Sequence, residues 1–168
     1  MSLPERRWLY HTPPSWVGDA TYFVTICCQK RGDNQLCVPS IAQELFAAVR
    51  YYHESLRWYV SLWLLMPDHA HALVSFPRTE DMAKVMAAWK RHTARHVGIV
   101  WQKAFFDHRL RGDESFEEKA AYIRMNPVRA GLISNPEEWP YVWQPEADAS
   151  ERRPYLGQPD TIDRGLRP

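Results

Sequence analysis

Little in this chain points to export or to a covalent scaffold. Its 168 residues include three cysteines, Cys27, Cys28 and Cys37. The odd count matches neither a disulfide framework nor a paired CxxC zinc site, so the thiols read as free and at least half-buried. No apolar run approaches the roughly 20 residues that a membrane helix needs. The N-terminal MSLPERRWLY carries charge and proline where a signal peptide has its apolar segment, and a cytoplasmic location is expected. Internal repeats and low-complexity linkers are also missing. Net charge is nearly absent: 21 Lys and Arg against 20 Asp and Glu give +1. That balance removes any whole-chain electrostatic case for a nucleic-acid partner.

What is present suits one folded domain. Apolar residues make up 45% and charged residues 24%, values of a globular chain with a single core. A folded domain over residues 1–145 and a Pro-rich, charged, poorly ordered tail over 146–168 are expected. Charge is uneven along the chain. Between Arg78 and Arg111 there are eight Lys and Arg against three Asp and Glu. A basic zone on a balanced protein hints at a phosphate-rich partner, although an ordinary solvated helix face has the same composition.

Patterning outlines the elements. ATYFVTICCQK, rich in β-branched and aromatic residues, predicts a strand. Ser40, with Gln43 three residues on, predicts a capping box and a helix with Ile41, Leu45, Val49, Tyr52 and Leu56 inward. RWYVSLWLL reads as a strand buried on both faces. Pro67 starts a tight turn, and HAHALVSF returns as a strand. Thr79 is the expected cap of a second helix, with Met82, Val85, Met86, Trp89 and Thr93 on one side and Lys84, Arg91 and Arg95 on another. VWQKAFFDHRL is a fourth strand candidate. Ser115 and Glu118 form a second capping box, opening a helix that ends before Asn126-Pro127. There Asn126 is the expected N-cap of a short turn closed by Gly131. The order β–α–β–β–α–β–α suits an α+β fold of the ferredoxin-like (split βαβ) kind, an antiparallel sheet with helices packed on it and an extra C-terminal helix.

Two short stretches carry chemistry. In MPDHAH, His69 and His71 are two apart on a strand, so both imidazoles leave the same face and can converge on one cation. A pair of half-exposed sheet histidines with no metal would look the same. In AYIRMNPVRAGLI, Tyr122 and Asn126 are four apart and share a helix side, with Tyr122 about 100° from the stripe of Phe116, Ala120 and Ile123. It can face a cleft, or simply solvent. His92 and His96 are four apart on the second helix without the Glu of an HExxH protease. His108 is an alternative third ligand. Trp58, Trp63 and Trp89 fit core stripes. Trp16, Trp101, Trp139 and Trp143 suit either packing or stacking on bases.

WLLMPDHAHALV and YIRMNPVRAGLI, in this order and separation, resemble the IS200-like transposases, which are HUH single-tyrosine (Y1) nucleases, and in particular their REP-associated tyrosine transposase branch. YFVTICCQKRG and VWQKAFFDHRLR resemble further blocks of the same family, over about residues 6–143. The resemblance implies that His69 and His71 bind a divalent metal, Mg²⁺ or Mn²⁺, that Asn126 completes the site, and that Tyr122 is the nucleophile. It implies cleavage and rejoining of single-stranded DNA at hairpin-forming repeats through a 5′-phosphotyrosine link, by a monomer or a homodimer. Lys84, Arg91, Arg95, Arg109, Arg111 and Arg129 are the expected backbone contacts. The rivals are a DNA-hairpin binding module without chemistry and a metal phosphodiesterase using activated water. One departure stands out. Relatives usually carry Asn before the first histidine, and here it is Asp68, a carboxylate that would either favour a cation or repel a phosphate.

Overall fold

The structure, a computed structural model, describes residues 17–112 and 114–146. Trp16 and all of the expected tail except Glu146 lie outside that range. Strands β1 (Val17–Cys27), β2 (Tyr59–Leu65), β3 (His69–Pro77), β4 (Phe106–Arg109) and β5 (Val142–Trp143) form one sheet in the order β4-β1-β3-β2-β5. Every pairing is antiparallel. Helices α1 (Pro39–Glu54) and α2 (Met82–Val97) are the two crossovers, and α3 (Phe116–Arg124) and α4 (Asn126–Arg129) follow β4. This is the expected α+β arrangement, with one strand more than the sequence predicts. β5 is only two residues long in a Pro-rich stretch, too short for periodicity to register.

The sheet separates two apolar clusters. Val24, Ile26, Ala70, Ala72 and Val74 face α1 and α2, where Trp58, Trp63 and Trp89 are fully buried in the main core. Their rings lie 4.9 to 6.1 Å apart, within the range of favourable aromatic pairs. The opposite face holds Leu62, Leu64, Met66 and Leu73 against Ala120 and Ile123 of α3. β2 feeds both clusters by alternation, and its register against β3 shifts between Val60 and Leu62. The bulge changes the phase, so Val60 and Trp63 point to one face and Leu62 and Leu64 to the other.

Several helix ends differ from expectation. α1 begins at Pro39 after Val38, with no side-chain cap, so the Ser40–Gln43 box does not form. Proline at the first position presets φ and needs no N–H partner. Leu56 falls beyond the helix at φ 59° and is 54% exposed, because the chain reverses there. α2 is capped by Asp81, which accepts from the Lys84 N–H. Thr79 is inside the turn closed by Glu80 N–H to Pro77 O. Ser115 caps α3 as expected, through the Glu118 N–H. α4 starts on Asn126 after Met125, with no side-chain cap. The fourth strand covers only the end of VWQKAFFDHRL. Trp101 makes a single bridge to Cys28, and the Lys90 ammonium binds the carbonyls of Gln102 and Lys103, which leaves the ladder. Trp101 is core, donating from its indole N–H to Thr93 Oγ1.

Candidate active site

Alternation along β3 places His69 and His71 on the α3 face, with their ring centroids 4.8 Å apart. Each ring is held through Nδ1. His69 Nδ1 is 2.7 Å from Asp68 Oδ1, and His71 Nδ1 is 2.9 Å from Thr25 Oγ1. With Nδ1 engaged, Nε2 is the nitrogen left to bind a ligand. His71 is depressed to about 3 by burial, by His69 and by the charges of Arg129 and Arg31. It is therefore neutral at ordinary pH, the form that binds a metal. Asp68 is held at about 2: burial works against its charge, but the Gly32 N–H, His69 and Arg31 outweigh it.

The second half of the site is carried by α3 and α4. Ala120 and Ile123 anchor α3 to the sheet, which turns Tyr122 outward, 53% exposed. Arg129 gathers this region. Its guanidinium lies 4.1 Å from the centre of the Tyr122 ring, donates to Tyr122 O at 2.6 Å, and donates to Asn126 Oδ1 at 3.0 Å. The Asn126 Nδ2 is buried without a partner, an arrangement that disfavours folding. Its Oδ1 keeps a second lone pair.

A run of contacts joins the halves. The Lys119 ammonium is 5.6 Å from the Tyr122 ring centroid and 5.3 Å from that of Phe23. Phe23 in turn stacks on His71 at 5.5 Å, 21° from parallel. Phe106 meets Phe23 edge-on at 6.2 Å and is itself 58% exposed. Sequence patterning singles out none of Thr25, Phe23, Lys119 and Phe106 as site residues. Their relevance comes from strand register, which no local pattern encodes.

The other expected residues are elsewhere. Lys84, Arg91 and Arg95 are on α2, whose buried side packs on the main core, the layer opposite the histidines. Arg109 is paired with Tyr22, which packs against that same core. Arg111 is in the loop after β4. His108 faces the histidine side, but its Nε2 is 2.9 and 3.0 Å from the Glu114 carboxylate oxygens. His92 and His96 are 4.2 Å apart, ring to ring, on α2. Among the described residues no three His, Cys, Asp or Glu side chains are grouped to hold a metal. The donor set on the histidine face is thus two imidazoles, with the Asn126 amide oxygen the available hard donor of the adjoining helix. Two imidazoles held through Nδ1, each presenting Nε2, fit a divalent ion that draws its remaining ligands from oxygen.

Comparison with known proteins agrees with the fold. The chain is 23% identical over 131 residues to the REP-associated tyrosine transposase of Escherichia coli K12, covering 75% of this chain and 77% of the relative. A Haemophilus influenzae protein assigned to the same group is 27% identical over 138 residues, 71% of this chain and 77% of that one. A solved structure of a REP-associated tyrosine transposase bound to a REP hairpin has the same fold, with a TM-score of 0.66 at 23% identity over 84% of this chain and 82% of that chain. The IS200-like transposase model matches residues 17–126, from the first strand through both histidines to the asparagine after the tyrosine helix, and the chain belongs to that family.

Proposed function

We propose that the chain cleaves and rejoins single-stranded DNA at hairpin-forming repeats, with Tyr122 as the nucleophile and His69, His71 and Asn126 as the metal-binding residues. The observation that carries this reading is the contact run Tyr122–Lys119–Phe23–His71 within one chain, which supports a self-contained site.

The phenol oxygen attacks the scissile phosphorus, and the bond to the 3′ oxygen breaks. The phenol loses its proton, and the departing 3′ oxygen gains one. The DNA 5′ end is left esterified to Tyr122. Because the ester conserves the phosphodiester linkage, a 3′-OH can attack in return and rejoin DNA without ATP. A phenol is a weak nucleophile until its proton is drawn away, and Arg129 and Lys119, which lie beside the Tyr122 ring, would meet the negative charge of the incoming phosphate. Arg129 also fixes the ring, so little orientational freedom remains to be lost on attack. Mg²⁺ or Mn²⁺ would draw charge from the nonbridging phosphate oxygens. Lys119 and Arg129, beside Tyr122, and Arg31, beside Asp68, are the cations that would meet the DNA backbone on this face. Phe106 offers a ring to an unpaired base. The relative bound to a REP hairpin supports hairpin DNA as the partner.

The experiment is direct. The full chain is mixed with Mg²⁺ and a labelled single-stranded hairpin, and the products are run on a denaturing gel. A protein–DNA adduct is expected with the wild type and none with Tyr122→Phe. Binding without any adduct would leave a hairpin-binding module, and cleavage that survives Tyr122→Phe would leave a water-using phosphodiesterase.

A further inference from the structure

We infer that Asp68 is a positioning residue: its carboxylate, latched by Arg31 and Gly32, holds His69 in the tautomer that leaves Nε2 free for a cation. This rests on the proposed metal role of the histidine pair.

Asp68, next to His69, could serve a cation in two ways, as ligand or as support. Its contacts decide for support. Oδ2 accepts from Arg31 Nε at 2.9 Å and from the Gly32 N–H at 2.8 Å. Oδ1 is 2.7 Å from His69 Nδ1. An oxygen taking two donors, one of them a guanidinium, belongs to an ionised carboxylate, which can only accept. The proton in the Asp68–His69 bond therefore resides on Nδ1, and the ring position that can offer a lone pair to a cation is Nε2. Oδ2 takes two donors and Oδ1 sits at the Nδ1 edge of the His69 ring, on the side away from Nε2, so Asp68 does not share a cation held by that Nε2. Its charge is spent on Arg31 and does not repel an incoming phosphate.

The latch is built into the fold. Residues 28–36 fold over the turn before β3, with Cys28 N–H donating to Asp68 O and the N–H groups of Gln35 and Leu36 donating to Pro67 O. Gly32 adopts φ 90°, a conformation open to glycine, and this aims its N–H at Asp68. His71 is held differently. Its partner, the Thr25 hydroxyl, can donate or accept, so it accommodates either tautomer. Asp68 imposes the proton position on one imidazole, and Thr25 tolerates it on the other. A carboxylate behind a ligating imidazole also makes the imidazole a stronger donor, and loss of such support weakens metal binding by about 10–100-fold.

Two readouts on the full-length protein test this. Two-bond ¹H–¹⁵N spectra of the metal-free protein report the His69 tautomer, and Mn²⁺ titration followed by electron paramagnetic resonance reports affinity. The wild type is expected to show His69 protonated on Nδ1. Asp68→Ala is expected to move the proton largely to Nε2 and to bind Mn²⁺ about 10–100-fold more weakly. Asp68→Asn, which keeps an acceptor for Nδ1–H, is expected to retain the tautomer and recover part of the affinity; it also stands in if the alanine variant does not fold. Wild-type His69 protonated on Nε2, or Asp68→Ala binding Mn²⁺ as tightly as wild type, overturns the inference. An Nδ1 proton in a wild type that takes up no Mn²⁺ would remove the metal reading and uphold Asp68 as the group that sets the tautomer.

Discussion

The two faces of this sheet are built by the same strands and do opposite things. Toward α1 and α2, alternate residues of β1 and β3 are aliphatic, and three tryptophans fill the space behind them. Toward α3, the intervening residues of the same strands are Phe23, Thr25, His69 and His71, partly exposed, with only a small apolar patch to anchor the helix. A period of two lets one strand satisfy both demands. The dry face carries the stability of the sheet, and the wetter face is free to hold polar groups that can reach a ligand.

Substitutions should therefore separate by face. The largest expected contrast is between Tyr122→Phe and Trp63→Ala. The first abolishes the covalent adduct and leaves the urea midpoint unchanged. The second costs about 3–5 kcal/mol of folding stability, as buried Trp truncations do, and spares the adduct wherever the variant is still folded. A Tyr122→Phe variant that unfolded early would break the comparison.

Acid sharpens it. His71 titrates at about 3 in the folded chain against 6.5 when free. As pH falls below 6.5 the unfolded chain binds a proton that the folded chain refuses. The contribution is intact above pH 6.5 and is lost progressively toward pH 3, with a limiting slope of about 1.4 kcal/mol per pH unit. Denaturant midpoints of the metal-free protein at pH 7 and pH 5 should differ accordingly, and His71→Gln should flatten the difference. An equal slope in that variant would place the acid sensitivity elsewhere.

Next comes Phe106→Ala, on the site face but outside both cores. It is expected to weaken binding of a single-stranded oligonucleotide by roughly 5–150-fold, the range of a lost stacking contact, with little effect on a duplex of the same sequence. Fluorescence anisotropy reads both. The smallest effect belongs to the α2 cations. Replacing Lys84, Arg91 and Arg95 together by Ala should leave adduct formation on a short hairpin nearly unchanged, because they are on the far layer. A loss as large as that of Arg129→Ala would mean that the DNA wraps round both faces.

How legible these features are in sequence varies with range. Alternation in HAHALVSF shows which face the histidines take, and the Ser115 cap marks where α3 begins. Both are local and carry their own signal. The starts of α1 and α2 are less legible: Thr79 and Asp81 are both plausible caps of α2 and the neighbouring turn chooses between them, while α1 opens at Pro39, ahead of Ser40, with no side-chain cap. The second face of Asp68 is not legible at all. Whether it meets a cation, a phosphate or Arg31 depends on the fold of residues 28–36 over the turn before β3.

The amino-acid sequence alone determined the family motifs, the element order and the shared face of His69 and His71, because spacing of two on a strand and of four on a helix is local geometry. Only the tertiary structure decided that Lys119 lies between Tyr122 and Phe23, that the α2 cations are on the opposite layer, and that Asp68 stands behind His69. Those relations depend on contacts between residues dozens of positions apart, Phe23 with Lys119 and Arg31 with Asp68 among them, and they exist only once register, crossover and loop closure are set together.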